Sequence, residues 1–194
     1  MKTFLHVQAL TKEYGKEKAV NQVTFSLYKN TATALIGPNG AGKTTTLSIL
    51  AGLLKQTSGS VVIDGDIQGD IRSEIGFLPQ YPQFYSWLTA LEFIEMVAKL
   101  SGIDGKMIKS QSVRTLDFVG LADAKNKKVG TFSGGMKQRL GLAQAIVHKP
   151  GLLLLDEPVS ALDPMGRREV LNLLKELQEH TTILYSTHIL NDAE

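Results

Sequence analysis

Lys43 and Thr44 end a glycine-rich loop that joins a short apolar segment to a helical pattern. The stretch from Gly37 to Thr44 reads GPNGAGKT and fits the spacing G-x-x-x-x-G-K-[ST]. Glycines let backbone N–H groups curl around phosphate oxygens, and the start of the following helix attracts the same anions. Lys43 can reach the β- and γ-phosphates, the Thr44 hydroxyl can ligate Mg²⁺, and Thr45 can contact the α-phosphate. The flanking strand and helix favour this interpretation over a glycine-rich turn with a surface lysine.

Two adjacent carboxylates follow a second apolar segment. Asp156 and Glu157 come directly after the run LLLL. A strand that is buried on both faces presents side chains at its carboxyl end, where ligands bind in parallel sheets. This pattern predicts that Asp156 holds Mg²⁺ through a water and that Glu157 polarises the water that attacks the γ-phosphate. The alternative is an acid pair that caps a helix from a loop.

A third stretch, Ser133, Gly134 and Gly135, precedes an apolar helical face. Ser133 is predicted to be the N-cap of that helix, and the two glycines would make a second anion cradle by the same physics. One γ-phosphate does not need two cradles from one chain. The two cradles would act together if two copies faced each other, and a capped helix without a ligand remains equally compatible with the residues.

The elements that must position these residues follow from hydrophobic periodicity. Helical patterns cover 44–54 and much of 89–148, where no convincing strand appears, and a further amphipathic helix is expected with Asp163 as N-cap and Pro164 as its first residue. This order predicts a parallel α/β core with a helical insertion. A turn is expected at Asp64-Gly65. Short apolar runs typical of strands occupy 4–10, 23–27, 32–36, 61–63, 75–78, 152–155 and 182–186.

Composition limits the possible classes of protein. The chain has 194 residues, 43% of them hydrophobic, which suits one domain with an inserted lobe. The net charge of +2 does not indicate a nucleic-acid partner. There are no cysteines, which fits a reducing cytoplasm, and no apolar run approaches the roughly 20 residues of a membrane helix. The amino terminus is too polar for a signal peptide, so any work at a membrane would need another chain to span it.

With these motifs in this order, the chain resembles the nucleotide-binding subunit of an ATP-binding-cassette (ABC) transporter over essentially its whole length. Ser133-Gly134-Gly135 matches the family signature, and Asp156 and Glu157 end the Walker B motif. Gln80 matches the Q-loop glutamine, Asp163 ends the D-loop stretch SALD, His188 matches the switch histidine, and Tyr14 stands where the family stacks an aromatic ring on adenine. The Walker A loop comprises Gly37, Pro38, Asn39, Gly40, Ala41, Gly42, Lys43, Thr44 and Thr45.

The resemblance implies a P-loop NTPase core with a mostly parallel sheet, an N-terminal antiparallel β-subdomain and an α-helical subdomain at about 85–148, all within one domain. It implies ATP and Mg²⁺ as cofactors. Tyr14 and the Walker A residues would bind ATP, and Ser133, Gly134 and Gly135 would contact the ATP of a partner subunit. The implied catalytic residues are Lys43, Gln80, Glu157 and His188, and the implied metal ligands are Thr44, Gln80 and Asp156.

The resemblance also implies partners and a location. The chain would form a homo- or heterodimer with a second nucleotide-binding domain, bind a transmembrane permease subunit, and lie in the cytoplasm at the inner face of the membrane. The motifs look similar to those of bacterial exporter-type members. The aromatic segment 81–88 would either contact the permease or pack on the chain's own helices. Tyr14, Gln80 and His188 also have plain structural readings, as a strand-edge residue, a loop residue and a helix cap.

Two departures and two alternatives remain. Met136 stands where the family often has glutamine, and the sequence stops at Glu194 inside an apparent helix, where family members usually continue with further strands and helices. The alternatives are a soluble ABC ATPase that acts in translation or DNA repair, and a regulatory module that binds ATP without hydrolysing it. The absence of a second cassette and of heptads argues against the former, and Glu157 and His188 argue against the latter.

Overall fold

The computed structural model describes residues 2–63, 71–160 and 162–189. Three predicted features fall outside them: the turn at Asp64-Gly65, the Ala161 position of the D-loop stretch, and the helix expected after His188.

Two sheets form the framework of the chain. One is antiparallel with strand order β2-β1-β4, and the other is parallel with order β3-β7-β6-β5. The first two strands are longer than the apolar runs that predicted them, because hairpin pairing continues through polar residues as far as Tyr14 opposite Glu17. The strands are β1 (Thr3–Tyr14), β2 (Glu17–Tyr28), β3 (Ala32–Ile36), β4 (Ser58–Ile63), β5 (Ile75–Leu78), β6 (Leu152–Leu155) and β7 (Thr182–Thr187).

Five α-helices lie in the described part of the chain, and polar side chains cap four of them. Thr89 and Glu92 form a capping box at the start of the second, and Asp104, Ser133 and Asp163 cap the next three. Every helix among the described residues is too short or too polar to span a bilayer. The helices are α1 (Lys43–Leu50), α2 (Ala90–Leu100), α3 (Gly105–Phe118), α4 (Gly134–Ile146) and α5 (Pro164–Gln178).

The helix predicted at 44–54 is shorter than expected. α1 ends at Leu50, because Gly52 adopts a left-handed conformation with φ of 70°. The Gly52 N–H then donates to Ile49 O at 3.0 Å, and the Leu53 N–H donates to Ser48 O at 2.9 Å. These two hydrogen bonds form a Schellman motif, which stops the helix although the apolar pattern continues.

The core lies on both faces of the parallel sheet. Along β6, Leu152 and Leu154 belong to a cluster shared with α1 and the antiparallel sheet, whereas Leu153 and Leu155 belong to a cluster shared with α2 to α5. All four leucine side chains are fully buried. The strand is therefore covered on both sides, as the uninterrupted apolar run predicted.

All four parallel strands present predicted site residues at the same edge. The phosphate loop follows β3, His188 follows β7, Asp156 follows β6 and Gln80 follows β5. The predicted fold class is confirmed: a mostly parallel α/β core with an N-terminal antiparallel sheet and an inserted set of helices. The strand order places the loop, the histidine, the carboxylates and the glutamine side by side.

Candidate functional site

The phosphate loop packs tightly against β2. Gly42 has φ of 81°, and a Cβ at this position would lie 2.1 Å from the backbone oxygen of Ala19. Only glycine fits this position, because both the backbone conformation and the close approach exclude a side chain. No side chain caps the start of α1 and its first turn has no acidic residue, so its first N–H groups face the loop as a positive end.

The Lys43 side chain folds back across the loop. Its Nζ donates hydrogen bonds to Gly37 O at 2.8 Å and to Pro38 O at 3.1 Å, and only 8% of the residue is exposed. Nζ also lies 3.8 Å from Glu157 Oε1. The loop therefore holds the ammonium group between its own carbonyl oxygens and the Walker B glutamate.

Asp156 joins three segments of the chain. Its Oδ2 accepts a hydrogen bond of 2.7 Å from Thr44 Oγ1, and its Oδ1 accepts one of 2.6 Å from Ser186 Oγ. The side chain is almost fully buried, and two hydroxyl groups compensate its lost hydration. This carboxylate thus lies against the start of α1 and does not cap a helix.

Glu157 is held in an unusual backbone conformation. Its φ is 49°, which is uncommon for a residue with a side chain and is typical of functional sites. Its N–H donates to Ser186 Oγ at 2.9 Å. Oε1 lies 3.1 Å from His188 Nδ1, and the Gln80 Nε2 group donates a long hydrogen bond of 3.5 Å to Oε2. The fold therefore brings Lys43, Gln80 and His188 to one carboxylate.

Lys43, Gln80 and Glu157 line a polar cavity of about 320 Å³, and Asp156 and His188 contact residues that line it. A metal ion here would find oxygen ligands of the kind Mg²⁺ prefers: the Thr44 hydroxyl, the Asp156 carboxylate and the Gln80 amide. Within residues 2–63, 71–160 and 162–189, no cluster of three or more His, Cys, Asp or Glu side chains could hold a metal. The donor set fits an ion shared with phosphates. The cavity is lined by Ala19, Asn39, Gly40, Gly42, Lys43, Thr44, Thr45, Gln80 and Glu157.

The signature residues lie apart from the phosphate loop. Ser133, Gly135 and Asp163 line a second cavity, of about 370 Å³. Ser133 Oγ accepts from the Met136 N–H at 3.3 Å, and Asp163 Oδ1 accepts from the Gly166 N–H at 2.8 Å. Both N-cap predictions are confirmed. Met136 contributes its backbone N–H to the Ser133 cap, while its side chain packs against the apolar cluster shared with α2 to α5.

Tyr14 is not one of the described side chains that line the phosphate-loop cavity. It lies at the end of β1, next to the hairpin turn, with 53% of its surface exposed. The Nζ of Lys12 lies 5.0 Å from the centre of the Tyr14 ring and donates to Lys55 O at 2.9 Å. One face of the ring is therefore covered by a cation, a favourable arrangement for an aromatic ring.

Two further residues support the site and were not predicted to act in it. Ser186 Oγ accepts from the Glu157 N–H and donates to the Asp156 carboxylate, and nothing in the sequence distinguishes it, because β7 also carries the hydroxyls of Thr182, Tyr185 and Thr187. Gln138, buried on α4, donates from Nε2 to Pro158 O at 2.7 Å and so anchors the turn after Glu157. Nothing in the sequence marks Gln138, because glutamine is common on exposed helix faces.

In the parallel sheet, the phosphate loop follows β3, and the adjacent carboxylates Asp156 and Glu157 follow β6, which is separated from β3 by one strand. This arrangement defines the P-loop NTPase fold. Residues 20–160 match the family model described as ABC transporter. The chain belongs to the ABC transporter family.

Relatives and solved structures agree with this assignment. The chain is 54% identical to the uncharacterised ABC transporter ATP-binding protein YxlF of Bacillus subtilis, over 98% of this chain and 64% of the relative. It is 41% identical to the bacitracin transport ATP-binding protein BcrA of Bacillus licheniformis, over 100% of this chain and 64% of the relative. The chain thus spans less than two thirds of these relatives.

The structural likeness is close as well. The dimeric post-hydrolysis structure of the ATP-binding cassette MJ0796, bound to ADP and Pi, superposes with a TM-score of 0.85 at 31% identity. The match covers 97% of this chain and 90% of that structure. The fold is therefore that of an ABC ATPase cassette, a family that in general hydrolyses ATP.

Proposed function

We propose that this chain binds and hydrolyses ATP and thereby powers transport of a substrate through separate membrane subunits. The observation that carries the proposal is the meeting of Lys43, Gln80 and His188 at the Glu157 carboxylate, beside the start of α1. We further propose that residues 1–194 act as one ATPase domain whose helical insertion covers about 85–148.

Each residue of this edge has a task that its position supports. The N–H groups of the phosphate loop and Lys43 bind the phosphates, and Tyr14 stacks on adenine. Glu157 takes a proton from the attacking water, whose oxygen then bonds the γ-phosphorus as the bond to ADP breaks. His188 orients the Glu157 carboxylate and contacts the γ-phosphate. Gln80 responds to the presence of the γ-phosphate. Thr44, Gln80 and Asp156 would hold Mg²⁺, which would supply positive charge that offsets the phosphates.

A second nucleotide-binding domain would complete each site. Ser133, Gly134 and Gly135 would contact the ATP held by the partner, with Asp163 nearby in the same cavity of this chain. Two observations support this: the signature lies on a cavity separate from the phosphate loop, and the MJ0796 cassette is dimeric.

A transmembrane permease subunit is the second proposed partner, which would hold the chain in the cytoplasm at the inner face of the membrane. The transport function in the name of BcrA supports it. The aromatic segment after Gln80 also supports this partner, because three of its rings are exposed: Tyr81 by 74%, Tyr85 by 47% and Trp87 by 66%. Phe84, in contrast, packs on Phe93 with ring centres 5.3 Å apart. We propose no nucleic-acid partner, because the net charge is only +2.

The proposal is tested by measuring ATPase rate at increasing protein concentration. A chain that completes its site by dimerisation hydrolyses faster per molecule as concentration rises. Glu157→Gln should bind ATP, dimerise more tightly and hydrolyse at least about 100-fold more slowly, because the amide cannot take the proton. Glu176→Gln, an exposed change on α5, is the matched control. ATP binding without turnover in the unaltered chain would favour a regulatory module, and near-normal turnover by Glu157→Gln would exclude Glu157 as the base.

A further inference from the structure

A separate cleft lies at the opposite edge of the parallel sheet from the phosphate loop. It has a volume of about 460 Å³ and is formed by α3 and by the carboxyl ends of α4 and α5. Because α4 and α5 end where β6 and β7 begin, the cleft lies at the amino ends of the strands, whereas Asp156 and His188 follow their carboxyl ends. We call this the basal cleft and define it by Arg114, Phe118, Ile146, Lys149, Leu177 and His180.

The floor of the basal cleft is apolar. Phe118, Ile146 and Leu177 come from three different helices or their ends, and Pro150 adds a buried ring. The volume falls within the roughly 300–1,000 Å³ of small-molecule sites, which are also mostly apolar with a few polar groups. The floor therefore offers a surface for the apolar part of a small ligand.

The rim carries positive charge that no described carboxylate matches. Arg114 and Lys149 are exposed at the cleft, together with His180. None of the residues that line the cleft is acidic, and none of the ion pairs between residues of the described ranges includes these three. The unpaired charges of Arg114 and Lys149 beside an apolar floor favour a ligand that carries an anion at one end.

The helix ends beside the cleft do not need these side chains as caps. At the end of α4, the Lys149 N–H donates to Ile146 O at 2.9 Å, and Gln111 Nε2 donates to Val147 O at 3.1 Å. At the end of α5, the N–H groups of His180 and Thr181 both donate to Leu177 O, at 3.0 and 2.9 Å. Backbone and amide donors thus satisfy the carbonyls of Ile146, Val147 and Leu177 without the charged side chains of the cleft.

We propose that the basal cleft binds a small organic anion with an apolar chain, of the alkyl phosphate or alkyl carboxylate class. The anion contacts Arg114 and Lys149, and the chain lies on Phe118, Ile146 and Leu177. This site is distinct from the phosphate loop, so the inference does not depend on ATP binding.

Calorimetric titration of the chain with octyl phosphate, below its micelle-forming concentration, tests the site. We expect one saturable site that ATP does not displace. Inorganic phosphate lacks the apolar chain and octyl glucoside lacks the charge, so both should bind at least about tenfold more weakly. Octanoate, which shares both features, should compete with octyl phosphate. No binding, displacement by ATP, or equal affinity for octyl glucoside would overturn the proposal.

Variants locate the binding on the molecule. Arg114→Gln with Lys149→Gln should weaken octyl phosphate binding about tenfold or more, because each lost charge removes a charge-assisted hydrogen bond. Lys99→Gln with Lys109→Gln removes the same charge from exposed positions outside the cleft and should leave the affinity unchanged. If the double variant unfolds at a lower temperature than the unaltered chain, the single variant Arg114→Gln is titrated in its place. Equal weakening in cleft and control variants would show non-specific charge attraction and refute the site.

Discussion

Thr44 and Asp156, which are 112 residues apart in the sequence, are joined by a hydrogen bond of 2.7 Å. The bond connects the first turn of the helix after the phosphate loop to the end of β6. The fold thus places a hydroxyl and a carboxylate, two groups that suit Mg²⁺ as ligands, next to each other. The metal-dependent part of nucleotide binding should therefore depend on Asp156.

Asp156→Asn should remove the effect of magnesium on nucleotide affinity. The amide keeps the shape of the side chain but loses the charge that offsets the cation. For the unaltered chain, a fluorescent ATP analogue should bind more tightly with Mg²⁺ than with EDTA. For the variant, the affinity with Mg²⁺ should fall about tenfold or more and approach the EDTA value. Asp123→Asn, at an exposed position, is the control, and an undiminished magnesium effect would contradict the assignment.

Ser186→Ala should lower both stability and turnover. The change leaves Asp156 Oδ1 and the Glu157 N–H without their hydroxyl partner, which costs about 1–3 kcal/mol in the free energy of unfolding. Loss of this support should also displace Glu157 and reduce ATPase activity at least about tenfold. Urea unfolding and steady-state ATPase measure the two effects. Ser26→Ala, which removes an exposed hydroxyl bonded to His6, should change neither. Full activity in Ser186→Ala would limit Ser186 to a structural role.

Tyr14→Ala should weaken ATP binding through the base alone. Stacking on an aromatic ring contributes about 1–3 kcal/mol, so the Kd for ATP should rise about 5- to 150-fold. The Kd for inorganic tripolyphosphate, which has no base, should not change. Tyr28→Ala removes a tyrosine from the open end of the same hairpin and serves as the control. If tripolyphosphate binding falls equally, Tyr14 acts on the phosphate loop and not on adenine.

Trp87→Ala should uncouple the ATPase from its membrane partner without harming the fold. The side chain is 66% exposed and contacts Tyr85 with ring centres 5.2 Å apart, so its loss creates no core cavity. Exposed tryptophans are frequent anchors of interfaces. Thermal unfolding and basal ATPase should remain, while transport in vesicles with the copurified permease should fall. Leu100→Ala, at a position 81% exposed on α2, is the control, and full transport by Trp87→Ala would contradict this interface.

The pH dependence of stability should contain a contribution from His148. Burial lowers the pKa of His148 below its usual 6.5, and the Ile75 carbonyl and the Glu74 charge raise it by less. Nε2 lies 3.2 Å from Ile75 O, and Nδ1 is buried with no hydrogen-bond partner among the described residues, as suits a neutral ring that donates from Nε2. As the pH falls, the unfolded chain therefore binds the His148 proton at a higher pH than the folded chain does. This contribution to stability is complete above about pH 6.5 and is lost as the pH falls through the lower, folded pKa.

His148→Gln removes this titration and keeps an amide that can donate to Ile75 O. Its free energy of unfolding, measured in urea at several pH values between about 5 and 8, should therefore fall less steeply on the acid side than that of the unaltered chain. His6→Gln, at an exposed position, is the control for a histidine-to-glutamine change elsewhere in the chain. Identical slopes for His148→Gln and the unaltered chain would show that His148 is not the source.

Much of the site could be predicted because its chemistry is encoded in short segments. The strand before the phosphate loop, the loop itself and the N-caps Ser133 and Asp163 all depend on neighbours within a few residues. The end of α1 was predicted wrongly, because the apolar period runs on to Leu54 and a single left-handed glycine overrides it. For the aromatic segment 81–88 the sequence allows both a permease contact and packing on the chain's own helices, and the structure divides it: Phe84 packs on Phe93, whereas Tyr81, Tyr85 and Trp87 are exposed.

By itself, the sequence determined which groups are available for phosphate chemistry and which strand or helix carries each of them, since these properties depend on local spacing and backbone preference. Only the tertiary structure decided which groups touch. The strand order β3-β7-β6-β5 brings His188 to Glu157, joins Ser186 to both carboxylate residues, and separates the signature from the phosphate loop. The packing of α3 beside the ends of α4 and α5 leaves Arg114, Lys149 and His180 around one apolar cleft. Such contacts join residues far apart in the chain, and their geometry follows from how sheets and helices pack, which no short segment encodes.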